Sequence, residues 1–358
     1  MKRSPIRVVD LFAGAGGLTA GFHQASPRFT SVAAVEMDLA AAASYEATFG
    51  EKIVFAGSIQ DWLATAKMPT DIDIIVGGPP CQGFSTLGKQ DAEDVRNTLW
   101  QHYAEAIVRL RPKYFVVENV AAFAASPQFQ EFTELTETGS LEEYAFEHKI
   151  LNAADFGAPQ ARRRAVIIGY RRDLEFPGFP EPTHTVHRTV GDVFAGVPNA
   201  VDGPDLPSNR SVKFAGKTFA GPFVPRELHL GRRYTDQSLK RFATIPEGGN
   251  RFDIPDELLS ECWKKHTNGS GDVMGRLHSN KPSVTIRTEF FKPEKGRYLH
   301  PDPRVMRAIT HYEAALLQGF PLDHQFVGSK TSIAKQIGNA VPIPLGMAIG
   351  SQLVTRFK

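Results

Sequence analysis

The feature that most constrains the fold is an alternation, over roughly the first 170 residues, of short apolar runs with stretches of helical pattern. Residues 7–12 read as a buried strand, followed by a glycine turn and a helix over 18–25. Residues 31–35 give a second strand, ending in Glu36-Met37-Asp38, and an alanine-rich helix runs to Phe49. Residues 71–76 give a third strand, broken by Gly77-Gly78-Pro79-Pro80. A helix is expected over 98–110 and a strand over 114–117, while 143–151 and 165–170 pair as the last strands. Strands alternating with helices predict an α/β fold with a doubly wound, mostly parallel sheet. In such sheets ligands bind beyond the carboxyl ends of the strands.

From about residue 176 the alternation stops, and proline, glycine and basic residues dominate to about 300. We therefore expect two units: residues 1–180 with 331–358, and a smaller, loop-rich domain over 181–330. The net charge of +2 conceals a division. Residues 1–154 hold 12 Lys+Arg against 19 Asp+Glu, net −7, while 155–358 hold 29 against 20, net +9. That asymmetry fits either a polyanion partner for the basic half or a basic, merely soluble surface. With 42% hydrophobic and 22% charged residues, disorder and coiled coil are excluded for the whole chain. No run approaches the ~18 apolar residues of a membrane span. Asp10 interrupts the only apolar stretch near the basic start, so a secretory signal is not expected and a cytoplasmic setting is. Two cysteines, Cys81 and Cys262, cannot build a disulfide framework or a four-cysteine zinc site.

The motifs sit at strand ends. Asp10-Leu11-Phe12-Ala13-Gly14-Ala15-Gly16-Gly17-Leu18 leaves the first strand and opens a helix, and small residues there let a ligand approach the backbone closely. Thr19 holds the third glycine position of a dinucleotide fingerprint, so this is not one. Glu36 ends the next strand, where a carboxylate can accept from ribose hydroxyls. Together they favour a nucleoside cofactor over a turn chosen only for packing. Gly77 to Ser85 carries Cys81 at the end of the third strand, and a thiolate there would be a nucleophile rather than a small apolar filler. Glu118 ends the following strand and can serve as a general acid. Arg162 and Arg164, in Gln160-Ala161-Arg162-Arg163-Arg164, share one strand face and can aim at carbonyl or anionic oxygens.

These blocks, in this order, resemble the C5-cytosine DNA methyltransferase family of bacterial restriction–modification systems. The blocks are residues 10–22, Glu36-Met37-Asp38, 77–85, 96–100, Glu118-Asn119-Val120 and 160–164. To these are added 307–321, ending Leu317-Gln318-Gly319-Phe320-Pro321, and Gln336-Ile337-Gly338-Asn339-Ala340-Val341-Pro342. The resemblance implies a Rossmann-like sheet that uses S-adenosyl-L-methionine, with a target-recognition domain in the variable stretch near 176–280. It implies that Cys81 adds to C6 of a flipped cytosine while Glu118 holds N3 and the exocyclic amine. Arg162 and Arg164 would hold the cytosine carbonyl and a nearby phosphate. Phe12, Gly14, Gly16, Gly17, Leu18, Glu36, Met37, Ser58, Ile59, Pro79, Leu99, Asn339 and Ala340 would line the cofactor site. No metal is implied. Two departures stand out: Ser58 replaces an acid that contacts adenine in the family, and Tyr312 and Leu316 replace arginines.

Double-stranded DNA is the implied partner, with Gln82 and Ser85 beside the nucleophile. In the basic region Arg232, Arg233, Lys240, Arg241, Arg276, Lys281 and Arg287 are candidate contacts to phosphates and base edges. The loop over 82–96 suits a lid on a flipped base. A monomer acting beside a cognate restriction endonuclease is expected. Three rivals remain at this stage: the tRNA-methylating branch, a binding module with a dead site, and a nicotinamide oxidoreductase. Against the first, Cys262 is followed by Trp263-Lys264 rather than Phe-Thr.

Overall fold

A seven-stranded sheet organises the chain, in the order β3-β2-β1-β4-β5-β7-β6. The structure, a computed structural model, describes residues 4–50, 52–80, 99–265 and 271–357, apart from the side chain of Cys262. The elements of the first part are β1 (Ile6–Leu11), α1 (Gly17–Ala25), β2 (Phe29–Glu36), α2 (Leu39–Phe49), β3 (Val54–Ala56), α3 (Ile59–Thr65) and β4 (Ile74–Gly77). They continue with α4 (Leu99–Leu110), β5 (Tyr114–Val120), α5 (Pro127–Glu137), β6 (Tyr144–Asn152) and β7 (Arg163–Arg171). Strands β3 to β5 run parallel. β7 runs antiparallel to both β5 and β6, pairing Glu118 with Val166 and Leu151 with Arg164. The doubly wound, mostly parallel expectation therefore holds, closed at one edge by an antiparallel hairpin. Apolar residues on both faces of β1, β4 and β5 are buried under helices, which explains the continuous rather than alternating apolar runs in the sequence.

Three differences from the sequence reading have physical causes. The third expected strand begins at Ile74 rather than residue 71, because Asp71 has a positive φ and the Asp73 carboxylate accepts from the Arg7 N–H. β3 escaped notice because it has three residues, none fully buried, at the sheet edge. Helices α3 and α5 carry few buried residues and so little apolar period.

Beyond β7 come α6 (Val190–Phe194), β8 (Ser211–Phe214), β9 (Lys217–Ala220), α7 (Asp236–Thr244), α8 (Glu261–Lys265), β10 (Gly275–Arg276) and β11 (Arg297–Leu299). These elements are short and joined by irregular chain, as the composition implies. α9 (His311–Gln318), α10 (Lys330–Asn339) and α11 (Ile343–Val354) follow. One apolar core joins Phe223, Phe290 and Tyr298 of this region to α9, to α10 and to Ala15 and Ala20 at the start of α1. No single helix among the described residues is long and apolar enough to cross a membrane.

α9 begins with a capping box between Thr310 and Glu313. Glu313, fully buried, also takes two hydrogen bonds from the Arg307 guanidinium, at 2.7 and 2.8 Å. Burial, the largest influence, would raise this carboxyl's pKa, but Arg307, His300 and the Thr310 N–H together hold the group below its ordinary value. Its contribution to stability is therefore present at neutral pH and is lost as pH falls through the depressed folded pKa. Glu313→Ala leaves a buried, unpaired arginine and is expected to cost about 3–5 kcal/mol in chemical denaturation at pH 7. The difference from wild type should shrink below about pH 4; a loss under 1 kcal/mol at pH 7 would contradict this account of α9.

Candidate active site

The carboxyl ends of β1, β2, β4 and β5, the start of β7 and the end of α10 surround one cavity of about 420 Å³. That size lies in the range for a small-molecule site. At one side the chain leaves β1 through Phe12, whose φ of 57° lies in the left-handed region. Gly16, with φ 84°, caps α1, and a Cβ there would meet Phe49 at 2.2 Å. Glu36 braces this turn. One of its oxygens accepts from the Gly14 N–H at 2.8 Å and the other from the Asp38 N–H at 2.7 Å. Burial, partly offset by these bonds, raises its pKa. A carboxylate has about four acceptor positions, so capacity remains for a ligand hydroxyl.

Of the thirteen expected cofactor positions, Phe12, Gly14, Gly17, Leu18, Glu36, Met37, Ser58, Ile59, Pro79, Leu99, Asn339 and Ala340 all line this cavity. Gly16 does not; its missing side chain serves packing against Phe49. Ser58 caps α3 and donates its hydroxyl to Asp61 at 2.7 Å, so an acid stands behind the serine even though none occupies the position itself. The sequence reading passed over Asp10, Asp38, Asn119, Lys335 and Gln336 as lining residues. The spacing of Asp38 after Glu36 was a usable signal, since it caps α2 through Ala40 and Ala41.

Asp10 is almost wholly buried and accepts from Thr19 at 2.6 Å, and Thr19 in turn meets the Tyr45 hydroxyl at 3.0 Å. Burial raises its pKa to about 7, against the Thr19 bond and helped by the Glu36 charge.

The other side of the cavity carries the reactive set. Arg164 Nε lies 2.7 Å from Glu118 Oε1 in a largely buried ion pair. Arg162 Nη1 donates to the carbonyls of Ile286 and Gly338, while its Nε has no partner among the described residues. Burial and the neighbouring Arg164 lower the Arg162 pKa to about 9, which still leaves it charged at neutral pH. Asn119 donates to the Pro79 carbonyl at 2.9 Å, fixing the turn that follows β4. Pro79 and Pro80 line the cavity immediately before Cys81 in the chain. Cys81, Gln82 and Ser85 lie outside the described residues.

The DNA candidates divide. Arg232, Arg233, Lys240 and Lys281 are exposed. Arg241 is half-buried, donating to the Leu258 carbonyl and covering Trp263, and Arg287 donates to the Tyr298 hydroxyl. Arg276 must be corrected. It is fully buried and its guanidinium serves five carbonyls, of Phe242, Ile245, His300, Asp302 and Val305, so it holds loops together and cannot reach a duplex.

Fold and cavity together define an α/β protein with a small-molecule-sized cavity beside a carboxylate–arginine pair. The family of C-5 cytosine-specific DNA methylases matches residues 6–355, and the chain belongs to it. The chain is 35% identical over 377 residues to the type II methyltransferase M.XorII of Xanthomonas oryzae, covering 97% of this chain and 84% of that one. It is 35% identical over 355 residues to M1.HphI of Haemophilus parahaemolyticus, covering 97% and 86%. Among solved structures, a protein described as a DNA modification methyltransferase encoded within an E. coli prophage shares the fold. Its TM-score is 0.72 at 24% identity, covering 98% of this chain and 99% of that one.

Because the folded-state pKa of Asp10 is raised, its stabilising effect is complete below the ordinary carboxylate value and is lost as pH rises towards 7. Asp10→Asn is expected to abolish that loss, gaining up to several kcal/mol over wild type at pH 8 and little at pH 4, on the scale of about 1.4 kcal/mol per pKa unit. Denaturation at the two pH values checks it; an equal effect at both would show that Asp10 ionises freely.

Proposed function

We propose that the protein transfers a methyl group to C5 of a cytosine in a short, specific duplex DNA sequence. The observation that carries this reading is the Glu118–Arg164 ion pair with Arg162, facing the same cavity as the Gly14 turn and Glu36. The cofactor is S-adenosyl-L-methionine, which supplies an electrophilic methyl group when bound. Glu36 suits its ribose, and Phe12, Pro79 and Ile59 offer apolar surface for a base. Leu99, Asn339 and Ala340 also line the cavity.

The chain's own groups then account for activation of the cytosine. C5 is a poor nucleophile until a bond forms at C6. The Cys81 sulfur attacks C6, and the displaced π electrons make C5 an enamine carbon. Glu118, hydrogen-bonded at N3, takes up a proton from solvent as the base enters, passes it to N3 as charge develops there, and recovers it when the ring is restored. Arg164 keeps the Glu118 carboxyl oriented, and the Arg162 guanidinium on the cavity lining suits the cytosine carbonyl oxygen. After C5 is methylated, its proton leaves to a base and the electrons expel the Cys81 thiolate, restoring the ring. The target base must leave the duplex stack to enter the cavity.

Exposed Arg232, Arg233, Lys240 and Lys281 are suited to duplex contacts, within a recognition domain spanning about 181–330. Such an enzyme, acting in the cytoplasm as a monomer, would protect its host's DNA beside a cognate restriction endonuclease, without a stable complex.

The expected outcome is transfer of labelled methyl groups to duplex DNA and not to tRNA, with Cys81→Ala lowering the rate at least ~10⁴-fold as for loss of a nucleophile. Labelling of tRNA alone, or an unchanged rate in Cys81→Ala, would overturn the reading. Arg164→Ala, which frees Glu118, should lower kcat by about 10²–10³-fold, the scale for one electrostatic contact in a closed site.

A further inference from the structure

Behind the cavity, buried amides tie together four segments of the chain. Gln160, fully buried, accepts at Oε1 from the Ile286 N–H at 2.8 Å. Its Nε2 donates to Gln318 Oε1 at 2.8 Å and to the Leu317 carbonyl at 3.3 Å. Gln318, the last residue of α9 and also fully buried, donates its own Nε2 to the Ile337 carbonyl at 2.5 Å. Two residues after Gln160, Arg162 reaches the same places, donating to Ile286 O at 2.9 Å and Gly338 O at 3.1 Å. The segment at 286 and the last turn of α10 are thus gripped twice, once by amides and once by a guanidinium. Contact there is direct: a Cβ on Gly338 would lie 2.5 Å from the backbone of Arg287 and Thr288.

Both ends of this network reach residues that line the cavity. Asn339 and Ala340, next after Gly338, line the wall assigned to the cofactor. Arg162 lines the wall with Glu118 and Arg164, assigned to the base. Gross stability does not require such a pair, because a buried polar pair can be replaced by apolar groups of like shape at little net cost. What an amide pair adds is a fixed register, set by bonds whose length and direction apolar packing does not dictate.

We propose that Gln160 and Gln318 are positioning residues that hold Arg162 and the end of α10 in one register, so that filling either wall of the cavity favours filling the other. This rests on the methyltransferase reading above. The coupling is reciprocal: DNA tightens cofactor binding by the factor with which cofactor tightens DNA binding.

The test compares binding of S-adenosylhomocysteine by calorimetry to free enzyme and to enzyme saturated with a duplex carrying the methylated site. In wild type the duplex should tighten it roughly 5-fold or more, a typical coupling. Gln318→Met should bring this ratio close to one, while each ligand's affinity measured alone changes less than ~3-fold, since neither residue touches a ligand. Gln318→Glu still accepts from Gln160, but its carboxylate cannot donate to Ile337. Its ratio should fall at high pH and recover as the buried carboxyl takes up a proton.

A ratio of one in wild type overturns the proposal, as does a full ratio in folded Gln318→Met. If Gln318→Met does not fold, a pH-independent, wild-type ratio in Gln318→Glu overturns it. Wild-type enzyme that binds neither S-adenosylhomocysteine nor duplex would instead overturn the methyltransferase reading, and this inference with it.

Discussion

Arg162 is charged, enclosed almost completely, and bonded to carbonyls 124 and 176 residues further along the chain. Enclosing a charge is costly unless its donors are satisfied. Here two are met by Ile286 and Gly338, while Nε is enclosed with no partner among the described residues. The arrangement of the site depends on this side chain. It fixes the lead into β7 and hence Arg164, which in turn sits on Glu118. It also holds the last turn of α10, after which Asn339 and Ala340 line the same cavity. One guanidinium therefore ties the reactive set to the cofactor wall.

Charge follows the same plan. In the acidic first part Asp10 and Glu36 stand towards strand ends, where burial raises the pKa of each. The basic remainder spends several of its cations on structure. Arg276, Arg297 and Arg307 are each bound to backbone carbonyls, and Arg307 also to Glu313. What is left for a polyanion is a smaller set, including exposed Arg232, Arg233, Lys240 and Lys281. A net charge of +9 over residues 155–358 thus overstates the surface available to DNA.

Much of the site was legible because strand ends are legible. Once the apolar runs were placed, Glu36, Glu118 and the turn before Cys81 had to fall on one edge of one sheet, and the described members do. What stayed hidden depends on contacts between distant segments. Nothing near Arg276 in the sequence separates it from a solvated arginine, because its five carbonyl partners come from residues 242–305. The same holds for Gln160 and Gln318, which lie 158 residues apart. Helix α10 was missed because Lys330, Thr331, Ser332, Lys335 and Gln336 break up its apolar period, although Ser329 gave a capping signal at its start. Gly16 misled in the opposite direction, since a glycine for packing and a glycine for a ligand look alike in sequence.

The central claim is that this cavity methylates cytosine at C5 within a defined DNA sequence. Bisulfite sequencing of DNA from cells expressing the protein tests it most directly. The account predicts cytosines resistant to conversion at one short recurring sequence, absent from cells expressing Cys81→Ala. Fully converted DNA from cells holding folded protein, or protection scattered without a sequence in common, would contradict it.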